Sequence, residues 1–90
     1  MSTPAQLPSI GRIIHYVLRD GRHAGEARAA IVTNTFGGAR CNGSVFLDAA
    51  NDDGSEDSLC SVDYDDTVIG AFAHGGSKYT PGTWHWPPRV

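Results

Sequence analysis

Turn-forming clusters interrupt this chain often enough to disfavour long helices: Asp20-Gly21, Gly37-Gly38, the run 51–55, Gly75-Gly76 and Pro87-Pro88. Glycine reaches the positive φ of tight turns and proline presets one turn dihedral, so each cluster ends a regular element. Eleven glycines and five prolines in 90 residues therefore favour short strands over long helices. The length allows one domain with a thin core. A 40% hydrophobic and 19% charged composition suits a globular domain, not a disordered tail. No apolar run approaches the roughly 18 residues a membrane helix needs.

Residues 1–9 read as a polar arm in which Pro4 and Pro8 block helix. The arm carries no basic residue and no apolar run, so no secretory leader is expected. The remainder, 10–90, reads as a single β-barrel domain. Its clearest strand is 10–18, rich in β-branched and aromatic residues. Further strands are predicted over 28–36, around 45–47 within 41–50, over 58–64, and over 83–86, where Pro87-Pro88 stops the last one. An acidic loop (48–58) and a long loop (65–81) join them; 68–73 could form a short strand or one helical turn.

About five short strands separated by turns predict an all-β fold, a small SH3-like antiparallel barrel, because closure removes exposed sheet edges. The first strand is apolar on both faces, Ile13 and Val17 on one, Ile14, Tyr16 and Leu18 on the other. So small a monomer cannot bury both, which predicts a homo-oligomer.

The net charge of −3 conceals an asymmetry. Residues 1–47 hold five arginines against Asp20 and Glu26, whereas 48–66 hold eight acidic residues and no basic one. An acidic chain lacks the footprint for coating bulk nucleic acid but retains room for a local basic pocket. The acidic stretch reads as solvated. An EF-hand is rejected: with Gly54 at the sixth loop position, Ala49 and Cys60 fall where carboxylates must ligate calcium.

Zinc spacing is missing too. Cys41 and Cys60 form no CxxC pair, and His15, His23, His74 and His85 make no HxH, HxxxH or HExxH motif. Two buried free thiols are expected. No GxSxG elbow occurs, and neither diglycine has phosphate-loop spacing. No metal, cofactor or catalytic residue is therefore expected, and the chain is read as a non-enzyme.

The binding candidates are arginines, aromatics and histidines. Trp84 and Trp86, two apart, share one strand face and could stack on a planar group; alternatively one closes the barrel and the other packs on a neighbour. Arg12 shares a face with Ile14 and Tyr16, and Arg28 opens the second strand. A guanidinium fork could grip a phosphate, or Arg28 could form a surface ion pair with Asp20 or Glu26. With His15 and His85 these residues give the predicted ligand-binding set: Arg12, His15, Tyr16, Arg28, Trp84, His85 and Trp86.

Three strings carry a resemblance: residues 8–17 (PSIGRIIHYV), 28–33 (RAAIVT) and 81–87 (PGTWHWP). Together they resemble a family of small actinobacterial and actinobacteriophage proteins, over roughly 8–36 and 81–90. The resemblance implies a phage or prophage context, and with it the cytoplasm of a bacterial host cell as the expected location. In that context the expected function is a counter-defence protein that sequesters a small anionic nucleotide-derived immune signal, of cyclic oligonucleotide or cyclic ADP-ribose type. The alternatives are a protein-interaction module or minor virion component, and a hydrolase of such a signal using His15 or His85 as base.

Overall fold

The computed structural model describes residues 4–48, 52 and 58–88. Seven strands follow one another: β1 (Ile13–Val17), β2 (Ala27–Thr35), β3 (Cys41–Val45), β4 (Ser58–Tyr64), β5 (Val68–Ala71), β6 (Ser77–Tyr79) and β7 (Thr83–His85). The described residues contain no helix. Five strands close a barrel in the order β1-β2-β3-β4-β7, while β5 and β6 form a separate two-stranded hairpin.

The barrel is mixed, not antiparallel as the sequence suggested. β1 through β4 pair as antiparallel neighbours and β7 closes antiparallel on β1, but β4 and β7 run parallel through Asp63–Thr83 and Tyr64–Trp84. Parallel neighbours require a long crossover. The segment 65–82 provides it, so the expected long loop is in fact a detour containing β5 and β6.

Local irregularities let so short a sheet curve. β2 shifts register between Val32 and Asn34, and β3 shifts against β4 between Cys41 and Gly43. At Gly43 a Cβ would stand 2.8 Å from the Ile31 carbonyl oxygen, so only glycine permits that approach. Opposite, Ser61 takes φ 51°, and its N–H donates to Asn42 Oδ1 at 2.8 Å.

The core alternates inward from each strand: Ile14, Tyr16, Ala30, Val32, Cys41, Val45, Leu59, Val62 and Tyr64 surround Trp84, with Leu18 just beyond β1. The Trp84 indole N–H donates to the Ala39 carbonyl at 2.7 Å, and Tyr64 meets its ring edge-on at 4.9 Å. Cys41 is buried as expected, and burial pushes its thiol up to about 11. Cys60 is exposed, which corrects the expectation of two buried thiols; its place on the outward side of β4 explains it.

The outward face of β1 carries Ile13, His15 and Val17. Val17 is fully buried, His15 half-buried and Ile13 exposed. The β5–β6 hairpin folds back over this side: Tyr79 N–H donates to the Gly25 carbonyl at 3.0 Å, and the Tyr79 ring lies 4.1 Å from that of His85. Of the second apolar face that suggested another subunit, the chain covers Val17 for itself and leaves Ile13 exposed.

Candidate functional site

The seven predicted residues do not converge. The fold distributes them over four places, of which one is an open cleft.

Arg12 and Trp86 stand in that cleft, a depression of about 700 Å³ between the N-terminal arm, the start of β1 and the chain leaving β7. The Arg12 guanidinium lies over the Trp86 ring, 5.1 Å from its centroid, a cation–π arrangement in which the ring quadrupole attracts the charge. No carboxylate among the described residues lies within ion-pairing distance of Arg12. The Trp86 indole N–H donates to the Gln6 backbone carbonyl at 2.9 Å, and the ring packs edge-on against Trp84 at 5.3 Å. Ala5 and Gln6 form one wall; Ile13, Tyr64, Asp66 and Pro87 complete the lining. Tyr64 donates its hydroxyl to Asp66 Oδ2 at 2.9 Å. Burial and then this carboxylate push the Tyr64 phenol up to about 12, so it is a proton donor at any physiological pH.

Tyr16 and Trp84 belong to the core. With Trp84 fully buried and its N–H satisfied, the paired-tryptophan platform does not exist; β7 ends at His85, and Trp86 alone of the two is partly open to solvent.

His15 and His85 are register partners across β1 and β7, with rings edge-on at 5.4 Å. His85 is 2% exposed, and neither of its ring nitrogens has a partner. Burial, then the neighbouring His15, push His85 down to about 4; burial lowers His15 as well. Both rings are therefore neutral at pH 7, and His85 under the hairpin offers a phosphate no charge.

Arg28 is already engaged. Its Nε and Nη2 donate to both oxygens of Asp52 at 2.8 Å, and Nη1 lies 3.3 Å from Glu26 Oε1. The hydrogen bond from Arg28 holds the Asp52 carboxyl below its ordinary range. Burial alone would raise Glu26, but hydrogen bonds from His23 and Arg28 outweigh it. The ion-pair reading with Glu26 was thus available from sequence, whereas Asp52 lay in the stretch read as solvated. Its side chain is 3% exposed and also accepts from the Asp48 N–H at 2.7 Å. The acidic residues 53–57 lie outside the described residues.

The loop histidines meet through Glu26: His23 Nδ1 lies 3.0 Å and His74 Nε2 4.0 Å from Glu26 Oε2. Among the described residues no three His, Cys, Asp or Glu side chains form a group able to hold a metal ion. No described helix is long and apolar enough to cross a membrane. Sequence reasoning missed Gln6, Tyr64, Asp66 and Tyr79. Gln6 acts through its backbone carbonyl, which residue type does not advertise, and the other three needed the fold to place them.

Comparison with protein-family models, with curated proteins and with solved structures found no match to this chain.

Proposed function

We propose that this chain is a non-catalytic protein-interaction module that grips an extended segment of a partner protein in the Arg12–Trp86 cleft. One observation carries the reading: the Trp86 indole N–H already holds a peptide carbonyl, that of Gln6, at 2.9 Å. An indole donor beside aromatic and proline surface suits an extended backbone, which has carbonyls to offer and low cost of ordering when proline-rich.

A second reading is favoured by Arg12, a cation without a carboxylate partner among the described residues. On this reading the cleft sequesters a small anionic nucleotide-type signal, as expected of a phage counter-defence protein. Against it, Arg28 is neutralised by Asp52 and Glu26, and Asp66 adds negative charge to the cleft. A cyclic oligonucleotide carries at least two phosphates and would meet one available guanidinium.

The deciding experiment selects ten-residue peptides from a displayed random library on the full chain, with counter-selection on Trp86→Ala. Selected peptides should bind with Kd below about 100 μM, roughly 5.5 kcal/mol, and lose at least tenfold on Trp86→Ala. Calorimetric titration with cyclic dinucleotides, cyclic trinucleotides and cyclic ADP-ribose isomers runs in parallel. Failure to recover Trp86-dependent peptides, together with nucleotide binding abolished by Arg12→Ala, would replace the first reading by the second. Recovery of an altered nucleotide would mean catalysis.

A further inference from the structure

The arm that supplies the Gln6 carbonyl is attached to the barrel in an unusual way. Residues 4–9 join no strand ladder. Pro4 and Pro8 are buried, while Ala5, Gln6 and Leu7 between them are exposed. The bond from Trp86 to Gln6 spans 80 positions of sequence and lies at the surface. Behind the arm stands Gly11 at φ 89°, exposed and with open space around its missing Cβ. Its N–H donates to the Val32 carbonyl at 2.8 Å and the Arg12 carbonyl accepts from the Val32 N–H at 3.0 Å, so the chain is tied to the barrel from Gly11 onward and only the residues before it can swing away.

Two anchoring prolines and, among the described residues, one exposed hydrogen bond describe a segment that docks ahead of Gly11 without being woven in. The cleft it walls off is the one with the features of a binding site. We infer that residues 4–8 are a displaceable strap along one wall of the cleft, holding the Trp86 N–H, which a proline-bearing extended segment of a partner protein must expel to reach that donor. The inference rests on the peptide-binding reading and adds its regulation. Partner affinity is lowered by the fraction of molecules whose strap is docked, because only the undocked state is competent. Arg12, held to the barrel by the Val32 N–H and stacked on Trp86, stays behind to contact the incoming segment.

The test uses the full chain and a fluorescein-labelled copy of its own arm, acetyl-Pro-Ala-Gln-Leu-Pro-Ser, followed by anisotropy. A Pro4→Gly/Pro8→Gly double variant frees the strap by raising its undocked entropy and removing its anchors. It should bind the peptide about five- to twentyfold tighter than the wild type. Trp86→Phe keeps the ring and removes the N–H, so it weakens strap and peptide alike. It should therefore change wild-type affinity by less than twofold and lower that of the double variant about fivefold. Should the double variant fail to fold, backbone resonances of residues 5–7 in the wild type report directly, moving to random-coil positions as peptide binds. Equal affinity in wild type and double variant, or peptide binding with those resonances unmoved, overturns the strap and leaves the module standing. Absence of peptide binding to every variant, with library peptides still captured through Trp86, likewise rejects the strap. The module itself fails only if library peptides are not captured either.

Discussion

His85 is the residue whose chemistry departs furthest from its ordinary behaviour. Its fully buried ring leaves two nitrogens without partners, a cost of roughly 1–3 kcal/mol per unsatisfied group in ordinary cases. The folded-state value of about 4 lies below the ordinary 6.5, so folding favours the neutral ring. Its contribution is complete above pH 6.5 and declines as pH falls from there toward 4, because the unfolded chain takes up the proton first. His15, lowered in the same direction, adds to the effect. Urea unfolding should therefore show stability falling by on the order of 2–3 kcal/mol between pH 7 and pH 4.5. His85→Phe should flatten much of that slope, separating it from carboxylates such as Asp52 whose loss comes at lower pH. A wild-type curve level from pH 7 to 4.5 would contradict the buried neutral pair. Arg28 and Asp52 make a second residue-scale case, with a fork of two 2.8 Å bonds and side chains 13% and 3% exposed. Asp52→Asn should cost about 1–3 kcal/mol, since it leaves a partly buried guanidinium without its charge partner. Were its melting curve superimposable on the wild type, Asp52 would belong with the solvated acidic residues after all.

Among the elements, the β5–β6 hairpin depends most on its neighbours. Every residue of β5 is exposed, and a lone two-stranded hairpin is at best marginally stable in water. It holds its place through β6, where Tyr79 bonds Gly25 and covers His85, and through Thr83, whose hydroxyl donates to the Thr80 carbonyl at 2.7 Å. Tyr79→Ala keeps the main-chain bond to Gly25 but removes the ring that covers His85, and should loosen the hairpin without opening the barrel. Amide exchange over 68–79 should accelerate at least tenfold while β2 and β3 stay protected. His85, opened to water, should titrate closer to 6.5 by NMR. Unchanged protection in the hairpin would show that some contact other than Tyr79 docks it.

At the scale of the molecule, the radius of gyration is 12.3 Å, against about 12 Å expected for a compact chain of this length. The barrel closes its own edges, and the hairpin covers His85 on β7, beside β1. The outward face that suggested a homo-oligomer is buried at Val17 within one chain, while Ile13 stays exposed. The exposed apolar residues that remain include Ile10 and Ile13 around the cleft, Phe36 and Phe46 elsewhere, and Val68 and Ile69 on the hairpin. Scattered residues of this kind are ordinary on monomers. Light scattering at micromolar concentration should accordingly return a particle of 9.6 kDa. A mass of twice that or more would mean that a second copy covers what the hairpin leaves open.

The parts of this protein legible in sequence are those governed by neighbours in the chain. β4 falls where alternation and turn composition placed it, at Ser58–Tyr64, and β2 lies within one residue of its expected bounds. Both follow from local dihedral preference and a two-residue side-chain period. β1 is shorter than expected because Gly11 and Arg12 together face Val32, the Gly11 N–H donating to its carbonyl at 2.8 Å and the Arg12 carbonyl accepting from its N–H at 3.0 Å, a bulge that ends the regular ladder. Other features depend on which strands meet. Nothing local says that β7 lies beside β4 in the same direction, yet that choice sets His85 against His15 and Trp84 against Tyr64. Nor does composition reveal that Asp52 crosses 24 positions to neutralise Arg28, or that Trp86 reaches 80 positions back to a carbonyl of the arm. Residue types and periods decided the strands and the class of fold. Long-range pairing alone decided which arginine keeps its charge available, which tryptophan is core, and where the cleft opens, because each is a property of the space between segments that chain order does not bring together.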